Sequence, residues 1–301
     1  MTAWAVILLR FAQYGGGAIL FGSSAFLLYS PLLDHTETPR WTKLLLAGAA
    51  ATLVFAVPLG FFMQTALLAG SFKAALDPAA LHAALLEMNF GKSSLARFVM
   101  ALAGCLVLRL LPFSRGAWWI CAALGAGVAA SFAWMGHGAA TEGALGWVHL
   151  AGDIVHSLAA AGWIGALAVL YLALYPPRPV DARRLHTALC AFSGTGTLLV
   201  GAIILTGLIN NSFLVGWNFR KVAMATYGWV LATKLALFLL MLALAAMNRY
   251  RHTPALSRSF IQGSSEAAAL RRSIALETMA GFAVLAAVSL LGTLPPVLEN
   301  T

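Results

Sequence analysis

The chain has 301 residues, of which 61% are hydrophobic and only 10% are charged. A soluble protein covers its surface with roughly 25% charged residues, so most of this surface must face lipid rather than water. The net charge of +9 does not indicate a nucleic-acid partner, because the Lys and Arg residues lie in short turns between apolar runs, where the positive-inside rule places them.

Apolar runs long enough to cross a bilayer recur along the whole chain. A spanning helix needs about 20 mostly apolar residues, and Pro- and Gly-containing turns such as residues 176–179 separate the runs. We therefore predict an all-α fold, a polytopic membrane helix bundle that forms one membrane-embedded domain over residues 1–301. The eight predicted transmembrane spans are residues 3–29, 43–70, 94–112, 117–136, 146–174, 188–210, 225–247 and 274–294.

The basic residues between these spans are unequally distributed. Loops on one side of the bundle hold twelve Lys and Arg residues, whereas those on the other side hold five. Cytoplasmic loops carry the excess of basic residues, so we expect the N and C termini to be periplasmic. The five residues on the poorer, outer side are Lys73, Lys92, Arg97, Arg220 and Lys221.

The most informative functional pattern lies in the fifth span. His149, Asp153 and His156 follow one another at i, i+4 and i+7 and therefore share one helix face. Ionisable side chains within a membrane usually face a bundle interior or a water-filled cavity. His137 lies in the outer loop before this helix, and Met135 adds a thioether that favours Cu(I). We predict a metal-binding funnel with these five residues as ligands; the alternative for each histidine is an interfacial or helix-packing role.

Two charges of opposite sign lie at matching depth in the first and fifth spans. Arg10 and Asp153 are each about seven residues, or roughly 10 Å, from the outer start of their spans. A lone charge at that depth costs at least ~2.5 kcal/mol, so we expect Arg10 to pair with Asp153. The alternative is that Asp153 binds the metal while Arg10 contacts a backbone carbonyl or a lipid phosphate.

The cysteines lie inside or at the edges of apolar runs and form no C-x-x-C pair. This arrangement argues against a disulfide framework and a zinc finger. The soft thiols of Cys105, Cys121 and Cys190 are able to bind Cu(I) along an exit path, although free cysteine more often acts as a small packing residue. The sequence leaves both interpretations open.

Several separated motifs resemble the CopD family of bacterial copper-resistance inner-membrane proteins. They cover most of the chain from about residue 85 onward, in the same order within eight helices. The motifs are Asn89-Phe90-Gly91 with Arg97, Gly136-His137, His149, His156, Ala161-Gly162-Trp163-Ile164-Gly165, Phe192-Ser193, Thr206-Gly207, Thr226-Tyr227-Gly228 with Lys234, and Asn248-Arg249.

This resemblance implies a multi-pass protein of the bacterial inner (cytoplasmic) membrane that moves copper from periplasm to cytoplasm. It implies a periplasmic CopC-like copper-binding partner, and it makes His137, His149 and His156 the expected copper ligands. It implies no catalytic residues, so we do not expect an enzyme. The partners expected overall are copper, the CopC-like protein and the lipid bilayer.

Two other functions remain as alternatives at this point. A haem-binding electron carrier of the cytochrome b type would also use membrane histidines, but it needs axial histidines that face each other from different helices. The pair His149 and His156 shares one helix, which disfavours haem. A non-transporting scaffold that sequesters copper has the same sequence signature as a transporter.

Overall fold

The computed structural model describes residues 2–32, 40–112, 114–135, 143–174, 182–214, 224–259 and 265–294, and every regular element within them is helical. Eight helices in this part of the chain are long and apolar enough to cross a membrane. This finding confirms the predicted all-α membrane bundle. The main helices of the eight spans are α1 Thr2–Ala18, α2 Arg40–Leu68, α3 Asn89–Leu110, α4 Arg115–Ser131, α5 Ala144–Ala173, α6 Ala182–Leu214, α7 Thr226–Met247 and α8 Ser265–Leu291.

Shorter helical segments extend or connect these helices. The first span continues after α1 through a π turn, Ile19–Ser23, and the helix Ser24–Tyr29. The seventh continues after α7 through a π turn, Asn248–His252, and the helix Thr253–Ser259. A 3₁₀ turn, Phe132–Met135, ends the fourth span. The connection from α2 to α3 contains the segments Phe72–Ala75, Pro78–His82 and Ala83–Glu87.

Several helices extend beyond the predicted apolar runs. Helix α3 begins at Asn89 rather than near residue 94, and α6 covers Ala182–Leu214 rather than 188–210. A backbone polar group near lipid must be satisfied within the helix, so the helix continues through polar residues at the membrane surface. Hydropathy alone detects only the apolar part of such a helix.

Since each of the eight candidate spans is long enough to cross a membrane, we infer that successive spans cross in opposite directions and that the helix ends form two faces of the bundle. We call the face that contains the beginnings of α1, α3, α5 and α7 the N-terminal face. The beginnings of α2, α4, α6 and α8 lie at the opposite face. Eight crossings bring Thr2 and Leu294 to the same side.

The centre of the bundle is a close crossing between the first span and α5. A Cβ atom built on Gly22 would collide with the backbone carbonyl of Ala161, and one built on Gly165 would collide with the backbone of the first span. The hydroxyl of Ser23 donates a hydrogen bond of 2.9 Å to the carbonyl of Gly165. Small residues permit this approach of membrane helices, so α5 lies at the centre of the bundle.

The burial of the spans agrees with this arrangement. The most apolar window of the α5 span is 61% buried inside the protein, against 17% for the α6 span and 11% for the span that begins with α7. Helices α6 and α7 are therefore peripheral and expose apolar side chains to lipid. Since α5 carries His149, Asp153 and His156, its position decides where the predicted site lies.

Candidate functional site

The three polar side chains of α5 meet three residues of α6, level by level. The ring of His149 stacks on that of Phe213 with centroids 4.5 Å apart and planes 7° apart. Asn210 Nδ2 donates to Asp153 Oδ1 at 2.5 Å. These two α6 residues are three positions apart and their α5 partners are four apart, as expected for antiparallel helices packed along one stripe.

The third level joins His156 to Thr206 and fixes the form of the imidazole. His156 Nδ1 lies 3.0 Å from Thr206 Oγ1, and that hydroxyl donates its proton to the carbonyl of Ala202 at 2.6 Å. A hydroxyl has one proton to donate, so Oγ1 accepts a hydrogen bond from Nδ1–H of His156. In a neutral imidazole the other nitrogen, Nε2, then carries the lone pair that a metal needs.

Helix α7 adds a cation to the same region. Lys234 lies within electrostatic range of both Asp153 and His156, and Tyr227 lies within range of Asp153. Polar groups of α5, α6 and α7 therefore lie within electrostatic range of one another, in the half of the bundle near the N-terminal face. His149 is only 1% exposed, so this stripe faces protein rather than lipid.

The predicted ligands are brought together only in part. His149 and His156 share the α5–α6 interface but are separated by seven residues, about 10 Å along the axis, and they contact different residues of α6. Within the described residues, no group of three or more His, Cys, Asp and Glu side chains is placed to hold a metal ion. His137 lies outside the described residues, and the complete ligand set stays a prediction.

Met135 lies in a different environment from the α5 histidines. It lines a cavity together with Arg10 and Gln13 of α1 and Gln64 of α2, near the N-terminal face of the bundle. The guanidinium group of Arg10 in the same cavity repels a copper cation. The Met135 thioether is therefore less suited to copper than its position next to His137 in the sequence indicates.

The expected pairing of Arg10 with Asp153 is wrong. Arg10 donates hydrogen bonds to the carbonyl of Gly292, at the end of α8, and to Oε1 of Gln64 on α2 at 3.3 Å. Asp153 instead accepts from Asn210. The two charges have matching depth, but they face different neighbours because depth does not determine the side of a helix on which a residue lies.

Arg97 is a buried residue of α3, whereas the count of basic residues in the sequence placed it in an outer loop. It is 0% exposed; it donates to Gln13 Oε1 at 2.8 Å and to Ser131 Oγ at 3.0 Å, and it lies 4.3 Å from the ring centroid of Phe132. The apolar run begins near residue 94, whereas the helix begins at Asn89. Arg97 therefore lies more deeply in the bundle than the run predicts.

The sequence reasoning also missed Glu277 in the middle of α8. This carboxyl group is 1% exposed and accepts hydrogen bonds from Trp163 Nε1 at 2.9 Å and from Asn248 Nδ2 at 2.8 Å. The signal was present, because an acidic residue inside an apolar span is by default a functional candidate. Its partner Trp163 lies on α5 seven residues after His156, so Glu277 is about two helical turns from His156 in the direction of the opposite face.

The cysteines do not join the histidine stripe. Cys105 is partly buried on α3, Cys121 is buried on α4, and Cys190 is exposed on α6 near the opposite face. Cys190 Sγ lies 3.9 Å from His186 Nε2, one turn before it. The three thiols lie on different helices, and their role in an exit path stays open.

Comparison with known proteins identifies the family. Residues 1–147 match the family described as copper resistance protein D-like, N-terminal domain, and residues 186–291 match the family described as copper resistance protein D. Copper resistance protein D of Pseudomonas syringae pv. tomato is 33% identical over 304 residues, which cover 97% of each chain. The chain belongs to the copper resistance protein D family.

Two further relatives of this copper resistance protein D family member span much of the chain. Inner membrane protein YebZ of Escherichia coli strain K12 is 25% identical over 301 residues, 98% of this chain and 100% of YebZ. Copper transport protein CutJ of Bacillus subtilis strain 168 is 27% identical over 246 residues, 79% of this chain and 45% of CutJ. No solved structure matches the chain.

The family assignment confirms the resemblance found in the sequence and the expected association with copper. It also divides the predicted ligands of this family member. Met135 and His137 lie within the first matched region, whereas His149, Asp153 and His156 lie between the two matched regions. The family assignment alone therefore does not identify the copper ligands.

Proposed function

We propose that this protein is a copper permease of the bacterial inner membrane that passes copper from the periplasm to the cytoplasm. The observation that carries the proposal is the contact of His149, Asp153 and His156 with α6 inside the bundle. Copper as the substrate is supported by the family and by the printed names of two relatives. The excess of basic residues at the opposite face supports a cytoplasmic location for that face.

Copper would enter at the N-terminal face and move along the α5 stripe by exchange of imidazole ligands. His137 precedes α5 in the chain, and His149 and His156 follow at increasing depth. One ion with metal–nitrogen bonds of about 2 Å does not bridge two groups about 10 Å apart. The histidines therefore act in sequence rather than as one closed site.

The charges beside the stripe determine whether a cation reaches His156. A copper ion at His156 also approaches Lys234, which repels it. Asp153 lies within electrostatic range of the same lysine, so its carboxylate offsets that repulsion. In this proposal Asp153 balances charge, and Nε2 of His156 binds the metal.

The haem alternative receives no support from the described residues. His149 and His156 both face α6, and the other described histidines lie in the α2–α3 connection or near the opposite face: His82, His186 and His252. An axial pair from two helices at one depth is therefore lacking in the described part of the chain. Purified protein should show no Soret band.

The test compares copper content and copper flux in purified protein and proteoliposomes. The double variant His149→Ala with His156→Ala should lose bound copper by mass spectrometry and reduce uptake to the level of protein-free vesicles. The matched control is His82→Ala, because the side chain of His82 is 67% exposed outside the bundle; this variant should behave like wild type.

Two results would overturn parts of the proposal. Unchanged copper content in the double variant would remove the α5 histidines from the site. Copper bound by wild type without any uptake into vesicles would identify a sequestering scaffold rather than a permease.

We also propose that a periplasmic CopC-like copper-binding protein delivers copper to the N-terminal face. A purified, copper-loaded protein of this type should transfer its metal to wild type faster than to the His149→Ala variant. Equal transfer rates would exclude His149 as the acceptor.

A further inference from the structure

Glu277 is a carboxyl group in the interior of a membrane helix with no cation to balance it among the described residues. It lies near the midpoint of α8, Ser265–Leu291, and its two oxygens accept hydrogen bonds from neutral donors, Trp163 and Asn248. No described Lys, Arg or His forms an ion pair with it. An ionised carboxylate so far from water is costly, which favours occupation of the site by a cation.

A line of buried polar atoms leads from Glu277 toward the opposite face. Three of these atoms have no hydrogen-bond partner among the described residues: Asn248 Oδ1, His252 Nδ1 and Ser273 Oγ. All three residues are more than nine-tenths buried, with exposed fractions of 8%, 8% and 4%. Buried polar groups are normally satisfied by protein or by ordered water, so this line requires a further partner.

The spacing of these residues defines a route. Asn248 contacts Glu277. The π turn that follows α7 ends at His252, one helical turn closer to the opposite face. On α8, Ser273 lies four residues before Glu277. Since the two helices are antiparallel, His252 and Ser273 occupy the same level. Asn248 and His252 are the first and last residues of a π turn, a feature that often marks functional positions in helices.

The chemistry of the route suits a proton carried by water rather than copper. Its atoms are carboxylate, amide and hydroxyl oxygens with one imidazole nitrogen, whereas Cu(I) prefers sulfur and clustered imidazoles. Ordered water forms good hydrogen bonds to such atoms and bridges them.

We propose that Glu277 is a proton-binding site that exchanges protons with water at the opposite face along Asn248, His252 and Ser273. On protonation an O–H bond forms at the Glu277 carboxylate while one O–H bond of a hydronium ion breaks, leaving water. A second part of the proposal rests on the proposed copper transport: the change between the neutral and charged forms of Glu277 couples copper movement to proton movement. Glu277 is then the group that senses the proton gradient.

The Lys and Arg residues nearest to Glu277 along the described helices lie away from its carboxyl group, so we assign proton binding to Glu277 itself. Arg10 meets α8 at Gly292, fifteen residues beyond Glu277, and Lys234 lies near Asp153 on the other half of α7. Arg271 and Arg272 lie on α8 toward the opposite face, beyond Ser273. On the π turn, Arg249 donates to Thr197 Oγ1 of α6 at 2.7 Å and Arg251 is exposed. His252 contributes the one imidazole among the described residues of the route.

The first experiment uses infrared difference spectroscopy of purified protein in lipid during a pH titration, without copper. Wild type should give a carbonyl band of a protonated carboxylic acid that is absent in Glu277→Gln. The matched control Glu87→Gln, an exposed carboxyl outside the bundle, should retain this band. Identical titration spectra for wild type and Glu277→Gln would overturn the proposal.

Two further variants keep Glu277 and remain informative if Glu277→Gln fails to fold. Trp163→Phe removes a donor to the carboxyl and should shift the acid band to higher wavenumber. His252→Phe should slow hydrogen–deuterium exchange of that band at least several-fold; an unchanged exchange rate would overturn the route. Replacing potassium by sodium at fixed pH should leave the band unaltered, and loss of the band would assign the site to sodium instead.

The second experiment measures copper uptake into proteoliposomes with imposed pH gradients. Wild-type uptake should change with the direction of the gradient, whereas uptake by Glu277→Gln should not respond to it. Insensitivity of wild type would overturn the coupling. The infrared measurement needs no copper, so a failure of copper transport would leave the proton site independently testable.

Discussion

Arg97 Nη1 donates a hydrogen bond of 2.8 Å to Gln13 Oε1, so a fully buried guanidinium on α3 is held by an amide on α1. The amide nitrogen of Gln13 donates in turn to the carbonyl of Ala56 on α2 at 3.0 Å. One polar chain thus joins three helices inside the bundle. Its members stabilise one another, because each would otherwise be an unsatisfied polar group in the membrane interior.

The first prediction is that Arg97 and Gln13 are energetically coupled. Arg97→Met and Gln13→Leu should each destabilise the protein by about 1–3 kcal/mol, since each leaves a buried partner unsatisfied. The double variant should lose less than the sum of the two by roughly 1–2 kcal/mol. The measurement is the free energy of unfolding in detergent from a denaturant titration.

A second cycle provides the control for this measurement. Arg10→Met with Asp153→Asn should be additive within about 0.5 kcal/mol, because the two side chains have separate partners. Additive losses for Arg97 and Gln13 would contradict the first prediction.

The second prediction concerns the close crossing of the first span and α5. Gly22→Ala should destabilise the protein by about 1–3 kcal/mol, since the new Cβ meets the backbone of Ala161 and Gly165. Gly48→Ala is the matched change, because no atom of the described residues lies within 4 Å of a Cβ at Gly48 on α2. It should be neutral or stabilise by up to about 1 kcal/mol. Thermal unfolding in detergent measures both, and equal shifts would contradict the crossing.

The third prediction tests the orientation of the His156 ring. Thr206→Val removes the hydroxyl that accepts from Nδ1 and should weaken copper binding at least several-fold, because Nε2 is then no longer held as the free nitrogen. Thr206→Ser keeps the hydroxyl and should bind copper like wild type. Thr233→Val is a control on the exposed surface of α7, where the hydroxyl donates to the carbonyl of Trp229 on the same helix. Copper affinity by competition with a chelator is the measurement, and equal affinities for the valine and serine variants at 206 would refute the assignment.

The fourth prediction is topological. A reporter fused after Thr301 should be active in the periplasm, and one inserted between residues 260 and 264 should be active in the cytoplasm, because the surrounding segment is rich in arginine. Paired alkaline phosphatase and fluorescent protein fusions provide the measurement. A cytoplasmic reporter at residue 301 would reverse the proposed entry face.

The existence and number of the spans follow from the sequence because lipid imposes a simple rule. Backbone groups in a bilayer must be hydrogen-bonded within the segment, so each apolar run of sufficient length becomes a helix. The stripe of His149, Asp153 and His156 is also visible in the sequence, since helix periodicity alone brings those residues to one face. The ends of the helices are less visible, as at Asn89 and Ala182, where polar residues continue the helix.

The partners of the charged residues within the spans were decided only by the tertiary structure. The sequence gives the depth of Arg10, Arg97, Asp153 and Glu277, but hydrogen bonds depend on which helix packs against which face. Arg10 and Asp153 match in depth, yet Arg10 contacts Gln64 and Gly292 while Asp153 contacts Asn210. Helix neighbours in this membrane bundle are set by close approaches such as Gly22 against Ala161, which depend on backbone shape rather than on hydropathy.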